Sequence, residues 1–297
     1  MMESKDLKGV IPAIVTPFNG DDEVDHDGIV SLTNHLVDNG VHAIMTTGGT
    51  GEFPHLLREE KKEVTAIVAK AAKGRVPVIA GTAGCGSKET VMLSMDAAEA
   101  GADAVIVTPP YYFKLPDESL YEHFKILTEN LGIPIVVYNN PLYTGNNLSP
   151  ALIDRLAGLK GVIGLKQSNP DLGQFVEVVR TSGKKISVCT GIDSQFYPSL
   201  CTGGKGIFST AACVIPKQMV QIFDLVQRGK HPEAFDLHLR VQELNRLLEY
   251  DPGYVSPCKE ALHMLGLPGG AVRKPLPDLT ASQRDELAGS LKRLGLL

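Results

Sequence analysis

Apolar and polar positions alternate in a repeating unit along the chain. A stretch with helical spacing ends at glycine, one or two residues pass, and a short β-rich apolar run follows. Gly40-Val41-His42-Ala43-Ile44-Met45, Gly101-Ala102-Asp103-Ala104-Val105-Ile106-Val107 and Gly161-Val162-Ile163-Gly164-Leu165-Lys166 all read this way. Glycine suits the left-handed residue past a helix end, and an unbroken apolar run suits a strand buried on both faces. Eight such runs fall at 10–16, 43–47, 76–81, 104–108, 135–139, 162–166, 187–190 and 206–209. Between them lie segments with helical periodicity, such as Ile29, Leu32, Leu36 and Val37, or Leu120, Phe124, Ile126 and Leu127. Asp27 and Ser87 are predicted helix N-caps, and Asp117 is predicted to open the helix after the fourth strand.

Eight β-then-α units over about 210 residues predict a (β/α)8 barrel. A doubly wound sheet usually has fewer strands and a glycine-rich first turn. Here the first turn is Thr16-Pro17-Phe18-Asn19-Gly20, without G-x-G-x-x-G. The remaining chain is predicted helical at 217–228, 232–249, 254–265 and 280–294. The first of these completes the barrel. The expected organisation is therefore a catalytic barrel over 1–228 and a C-terminal helical extension over 229–297, packed outside it.

Composition narrows the chemistry. The 297 residues carry 29 basic and 34 acidic side chains, a formal charge of −5, which lacks the electrostatic footprint of a nucleic-acid binder. No apolar run approaches the ~20 residues of a membrane span. The N-terminal sequence has no long apolar stretch before a cleavage site, and the five cysteines never form C-x-x-C. Reduced thiols in a cytoplasmic protein are expected. The eight histidines form no H-x-H or H-E-x-x-H, so no metal and no cofactor is expected.

Barrel active sites lie at the C-terminal ends of the strands. Those ends supply Thr46 to Glu52, Thr108 to Tyr112, Tyr138 to Pro141, Lys166-Gln167-Ser168, Thr190 to Asp193, and Ser209-Thr210. Hydroxyls, phenols, glycines and one lysine dominate, with only Glu52 and Asp193 as acids. Such a rim points to covalent catalysis through a Schiff base rather than to a carboxylate pair or a metal. An arbitrary lysine at a strand end is solvated and inert. Lys166 instead ends an apolar strand, and a dry amine favours its neutral, nucleophilic form. The neighbouring strand ends in Tyr138, a phenol able to move protons to and from a carbinolamine. The Gly48-Gly49-Thr50-Gly51-Glu52 loop is either a tight βα turn or an amide nest for an anion such as a 2-oxo acid carboxylate. Glycine content alone does not choose, and Glu52 reads equally well as a helix-start residue. Tyr111 and Tyr112 read equally as core or interface aromatics. Cys189 reads as core, since no histidine stands at a neighbouring strand end.

These motifs together resemble the dihydrodipicolinate synthase / N-acetylneuraminate lyase family over nearly the whole chain. Gly48 to Glu52 match its G-[TS]-T-G-E loop, Thr108 to Tyr112 its T-P-(x)-Y-Y segment, Tyr138 to Pro141 its Y-N-x-P, and Gly164-Leu165-Lys166 its G-[IL]-K. The resemblance implies that Lys166 condenses with pyruvate or another 2-oxo acid, that Tyr138 relays protons, and that Gly49 and Thr50 hold the carboxylate. It also implies a homotetramer built from tight dimers, with Tyr112 reaching a neighbouring subunit's site.

Departures bear on the second substrate. The synthases carry threonine where this chain has Gly49, which removes a relay hydroxyl. They carry an arginine where this chain has Tyr143, and losing a bidentate guanidinium removes roughly 1.5–3 kcal/mol of charge-assisted binding to a carboxylate. Gly191-Ile192-Asp193 resembles the G-x-D with which sugar-acid lyases hold substrate hydroxyls, and Ser209 aligns with their serine. Ser194 stands where sialic-acid lyases have a glutamate. The resulting expectation is a Schiff-base lyase acting as aldolase or dehydratase on a 2-keto-3-deoxy sugar acid. The alternatives are a 4-hydroxy-tetrahydrodipicolinate synthase, condensing pyruvate with aspartate semialdehyde, and a non-enzymatic 2-oxo-acid sensor.

Overall fold

A computed structural model describes residues 2–249 and 253–297. Eight strands run parallel: β1 (Gly9–Pro12), β2 (Ile44–Thr46), β3 (Val78–Gly81), β4 (Ala104–Val107), β5 (Ile135–Asn139), β6 (Val162–Gln167), β7 (Ser187–Thr190) and β8 (Gly206–Ser209). From β2 to β8 each strand pairs with the next in sequence, and β1 pairs with β8. The seam between β1 and β2 is joined by the Ala13–Met45 bridge and by Ile14 N–H donating to the Met45 carbonyl at 2.9 Å. This is a (β/α)8 barrel, as the periodicity predicts.

The first apolar run contributes less strand than expected. Only Gly9–Pro12 forms strand along β8, and Ala13 beyond it keeps a single bridge to Met45. Two predicted caps also move. Helix His26–Asp38 is capped by Asp25, whose carboxylate accepts from Gly28 N–H at 2.9 Å, because Asp27 already lies inside the first turn. Gly86 occupies the cap position of helix Ser87–Glu99, and the Ser87 hydroxyl pairs with His123 Nδ1 at 2.9 Å instead. Asp117 opens helix Asp117–Asn130, as expected.

Ile11, Met45, Ile79, Ile106, Val136 and Phe208 fill the barrel interior, and Leu7 plugs its lower end. Gly164 makes room for that plug, since a Cβ there would run into the Leu7 side chain. Outside the barrel, the C-terminal helices His231–Glu249, Val255–Met264 and Ala281–Arg293 do not form a core of their own. Their Leu237, Val241, Leu244, Leu248, Leu262 and Leu287 belong to the same buried cluster as Val10, Ile14 and Ile207. Each such leucine contributes about 1.5–3 kcal/mol through burial. Among the described residues no helix is long and apolar enough to cross a membrane.

A polar clasp supplements this packing. Lys259 Nζ lies 2.5 Å from the buried Glu52 carboxylate and donates to the Ala271 carbonyl at 2.6 Å. Arg273 donates its backbone N–H to the other Glu52 oxygen, pairs with Glu60 and Asp22, and stacks 4.1 Å from the centre of the Phe18 ring. The extension is thereby tied to the residue that closes the glycine loop.

Candidate active site

The register of β5 and β6 sets Tyr138 directly beside Lys166 at the barrel mouth. Lys166 is only 5% exposed, and its ammonium lies 3.9 Å from Met45 Sδ and 4.2 Å from the centre of the Tyr138 ring. The face of Phe208 is 5.6 Å away. Surroundings of thioether and aromatic faces satisfy the stem without tying the nitrogen into an ion pair. Gly191 is what lets the lysine lie there. A Cβ at Gly191 would stand 2.6 Å from Lys166 Cε and collide with the Ser168 hydroxyl. Its backbone does not need positive φ, so the missing side chain is a requirement of space.

Tyr138 accepts a hydrogen bond from Asn140 Nδ2 at 2.9 Å, leaving its own proton free to donate. The preceding Asn139 has a different task. Its side chain donates to Asn147 and Gln167 and accepts from Leu148 N–H, so it clamps the following loop to the ends of β5 and β6.

Close packing shapes the glycine loop. Thr47 and Glu52 both adopt left-handed backbone angles, with φ of 47° and 60°. Thr16 Oγ1 donates to the Gly51 carbonyl at 2.8 Å, and Thr47 Oγ1 to the Gly81 carbonyl at 2.9 Å. Among the described residues the N–H groups of Gly49 and Thr50 donate no backbone hydrogen bond. Both residues line a cavity of about 350 Å³ shared with Tyr138, Tyr143, Lys166 and Gly191. Amides without a backbone partner, on a cavity that a lysine also lines, can seat an anion. The Thr50 hydroxyl is already engaged with Thr210 Oγ1 at 3.0 Å.

Asp193 and Ser209 meet, but they spend their polar atoms on each other. The Asp193 carboxylate accepts from the Ser209 hydroxyl and from Thr210 and Ala211 N–H, both at 3.1 Å, while Ser209 Oγ accepts from Ala212 N–H at 2.8 Å. Burial pushes the Asp193 carboxyl up, and these bonds pull it back. The pair caps the turn after β8 and has little bonding capacity left for substrate hydroxyls.

Tyr112 stands apart from the other predicted site residues. It is 87% exposed, with φ of 83°, and packs edge-on against the exposed Phe113. It does not line the Lys166 cavity of its own chain. Cys189 is buried in the barrel, and burial pushes its thiol up to about 12, so it is no nucleophile.

Four further groups line the cavity, and two of them, Glu249 and Tyr254, escape a reading by strand ends. Asn140 is one residue past the strand. Ser168 Oγ is buried at the cavity wall without a hydrogen-bond partner. Glu249 and Tyr254 reach the cavity from the C-terminal helices, more than 80 residues beyond Lys166 in sequence. Glu249 accepts from Ser194 N–H at 2.7 Å, and burial, reinforced by Asp193, pushes its carboxyl up to about 7. Tyr254 packs edge-on against Tyr143, ring centres 5.9 Å apart. Asn140 and Ser168 carry a signal, as members of the Tyr138 to Pro141 and Lys166 to Ser168 segments, but the sequence assigns them no role.

Comparison with known proteins agrees with this arrangement. The profile of the Dihydrodipicolinate synthetase family matches residues 6–294. The chain is 38% identical to 4-hydroxy-tetrahydrodipicolinate synthase of Methanocaldococcus jannaschii over 292 residues, covering 98% of this chain and 100% of that one. The solved dihydrodipicolinate synthase from Aquifex aeolicus is 35% identical with a TM-score of 0.93, covering 98% of this chain and 99% of that one. A prophage protein of E. coli K12 belonging to the dihydrodipicolinic acid synthase family, solved in complex with pyruvate, is 29% identical with a TM-score of 0.94 over 98% of this chain and 99% of that one.

Proposed function

The chain belongs to the dihydrodipicolinate synthetase family of Schiff-base lyases, and on that premise we propose that it condenses pyruvate with aspartate semialdehyde as a 4-hydroxy-tetrahydrodipicolinate synthase. The observation that carries the chemistry is the buried Lys166 nitrogen, 4.2 Å from the Tyr138 ring and on one cavity with the Gly49 and Thr50 amides. The choice of second substrate follows the relatives, several of which are named for this synthase at 36–38% identity over nearly their full length. That choice reverses the order in which the sequence ranks the two readings. Part of the sugar-acid signal rested on Asp193 and Ser209, and those side chains bond to one another.

The steps follow from the placement. The pyruvate carboxylate takes the amides of Gly49 and Thr50. The neutral Lys166 amine attacks C2, the carbonyl π pair moves to oxygen, and a proton passes from nitrogen to that oxygen through Tyr138. Tyr138 then gives its phenolic proton to the carbinolamine hydroxyl. Water leaves, the nitrogen lone pair closes the C=N bond, and Tyr138 is left as phenolate. It recovers a proton from the methyl group, which turns the iminium into an enamine. The enamine carbon attacks the aldehyde, whose oxygen takes the proton from Tyr138. The amino group of the aspartate semialdehyde then adds to the iminium carbon, expels the Lys166 amine and closes the ring as a cyclic imine. Tyr112, exposed on its own chain, serves the site of a second copy in a homotetramer.

Two measurements test the reading. Borohydride reduction in the presence of pyruvate is expected to leave a stable adduct on Lys166, located by mass spectrometry, and Lys166→Ala is expected to lower turnover at least about 10³-fold. No adduct on a natively folded protein would refute the mechanism. A coupled assay with aspartate semialdehyde is expected to show turnover. Negligible turnover, together with pyruvate release from 2-keto-3-deoxy acids, would instead establish the sugar-acid reading, which Tyr143 in place of an arginine favours.

A further inference from the structure

Gly49 poses a question of size. Its backbone does not require positive φ, so conformation does not explain a glycine there. The space its side chain would fill is already occupied. A Cβ on Gly49 would collide with the hydroxyl oxygen of Tyr254 and stand 3.2 Å from Tyr254 Cζ. The loop glycine and the tyrosine from the C-terminal region are a matched pair.

Building on the Schiff-base reading above, we propose that the Tyr254 hydroxyl, which makes no hydrogen bond among the described residues of the resting site, takes the place of the side-chain hydroxyl that Gly49 lacks and turns to donate to Tyr138 when that phenol gives up its proton. Tyr254 lines the Lys166 cavity and also the adjoining cavity of about 370 Å³ that backs on Tyr138 and Asn140. Its ring is held edge-on by Tyr143. Its hydroxyl has no hydrogen-bond partner among the described residues, and burial with two nearby phenols holds its proton firmly, so it serves as donor and not as acid. Tyr254 is the cap residue of helix Val255–Met264, the helix whose Lys259 pairs with Glu52 of the glycine loop. The ion pair therefore fixes the phenol against the loop it completes.

No atom changes hands at Tyr254. When Tyr138 gives its proton to the carbinolamine hydroxyl, the phenolate that remains has Asn140 Nδ2 on its oxygen and Lys166 over its ring, with Tyr143 of the helix Pro141–Thr144 and Tyr254 lining the same cavity. A second neutral donor stabilises that phenolate and eases each proton transfer. Tyr254 is thus a positioning residue acting through Tyr138.

The test is Tyr254→Phe, which keeps the ring. Its kcat is expected to fall roughly ten- to a hundredfold, the worth of one hydrogen bond to a charged group. KM for pyruvate should change by less than about threefold, since the carboxylate seat is untouched. The alkaline limb of kcat/KM should move to higher pH, because a phenolate with one donor fewer is harder to form. Gly49→Ser combined with Tyr254→Phe, which returns a hydroxyl from the loop, should recover part of the lost rate. A Tyr254→Phe enzyme with wild-type kcat, or with lowered kcat and an unmoved limb, overturns the proposal. Failure here is distinct from failure of the parent reading. Borohydride trapping that succeeds in wild type beside an indifferent Tyr254→Phe removes only this inference, whereas absence of any wild-type adduct removes both.

Discussion

At Tyr138, the phenol proposed to move protons, the hydroxyl is held by a small neighbour that has no acid–base chemistry of its own. Asn140 Nδ2 stands 2.9 Å from the phenol oxygen, and its donation fixes the direction in which the phenolic hydrogen points. Asn140→Ala is expected to lower kcat about tenfold while leaving the fold intact, since the only side-chain hydrogen bond of Asn140 among the described residues goes to Tyr138. Steady-state kinetics beside circular dichroism checks this, and an unchanged kcat would show that the phenol orients itself. At this scale the sequence shows Lys166, Tyr138 and the glycine loop, because each ends a strand. It does not show that Asp193 and Ser209 face each other, or that Gly191 is a space for the lysine. Those facts depend on atoms from β6, β7 and β8 meeting side by side.

Strands and helices were the most readable level. Runs of β-branched and apolar residues mark β5, β7 and β8 with the same limits in sequence and structure, since strands buried on both faces admit no polar interruption. Helix starts were less readable, because cap geometry turns on one residue's backbone angles, as at Asp25 and Gly86. The end of helix His231–Glu249 carries a pH-sensitive contact that no pattern announces. There Glu249 bonds Ser194 N–H after β7, with its carboxyl pushed up to about 7. A carboxyl whose folded pKa lies above its unfolded value of 4.5 favours the folded state below pH 4.5. That contribution is lost as pH rises through about 7. Glu249→Gln keeps the acceptor and removes the charge. Its melting temperature should exceed that of wild type at pH 8 and converge with it near pH 4.5. Thermal unfolding at both pH values decides, and a pH-independent difference would assign the effect to packing alone.

For the whole molecule, the extension and the barrel stand as one structure joined by the Lys259–Glu52 pair. Both side chains are almost wholly buried, at 2% and 0% exposure. Removing one partner strands the other's charge, so Lys259→Ala is expected to cost about 3–5 kcal/mol in urea unfolding. Lys259→Met with Glu52→Leu should restore much of that loss, since matched apolar replacement is often neutral. A single variant as stable as wild type would show that the clasp adds nothing. Tyr112, Phe113 and Leu142 are large apolar side chains left exposed on the surface of the chain. By itself the amino-acid sequence determined the barrel, the lysine at its mouth and the glycine loop, because periodicity and strand-end position are local properties. Only the tertiary structure decided which groups surround Tyr138 and which polar pairs neutralise each other. Those contacts join residues such as Gly49 and Tyr254, about 200 positions apart, and depend on how the helices close over the barrel.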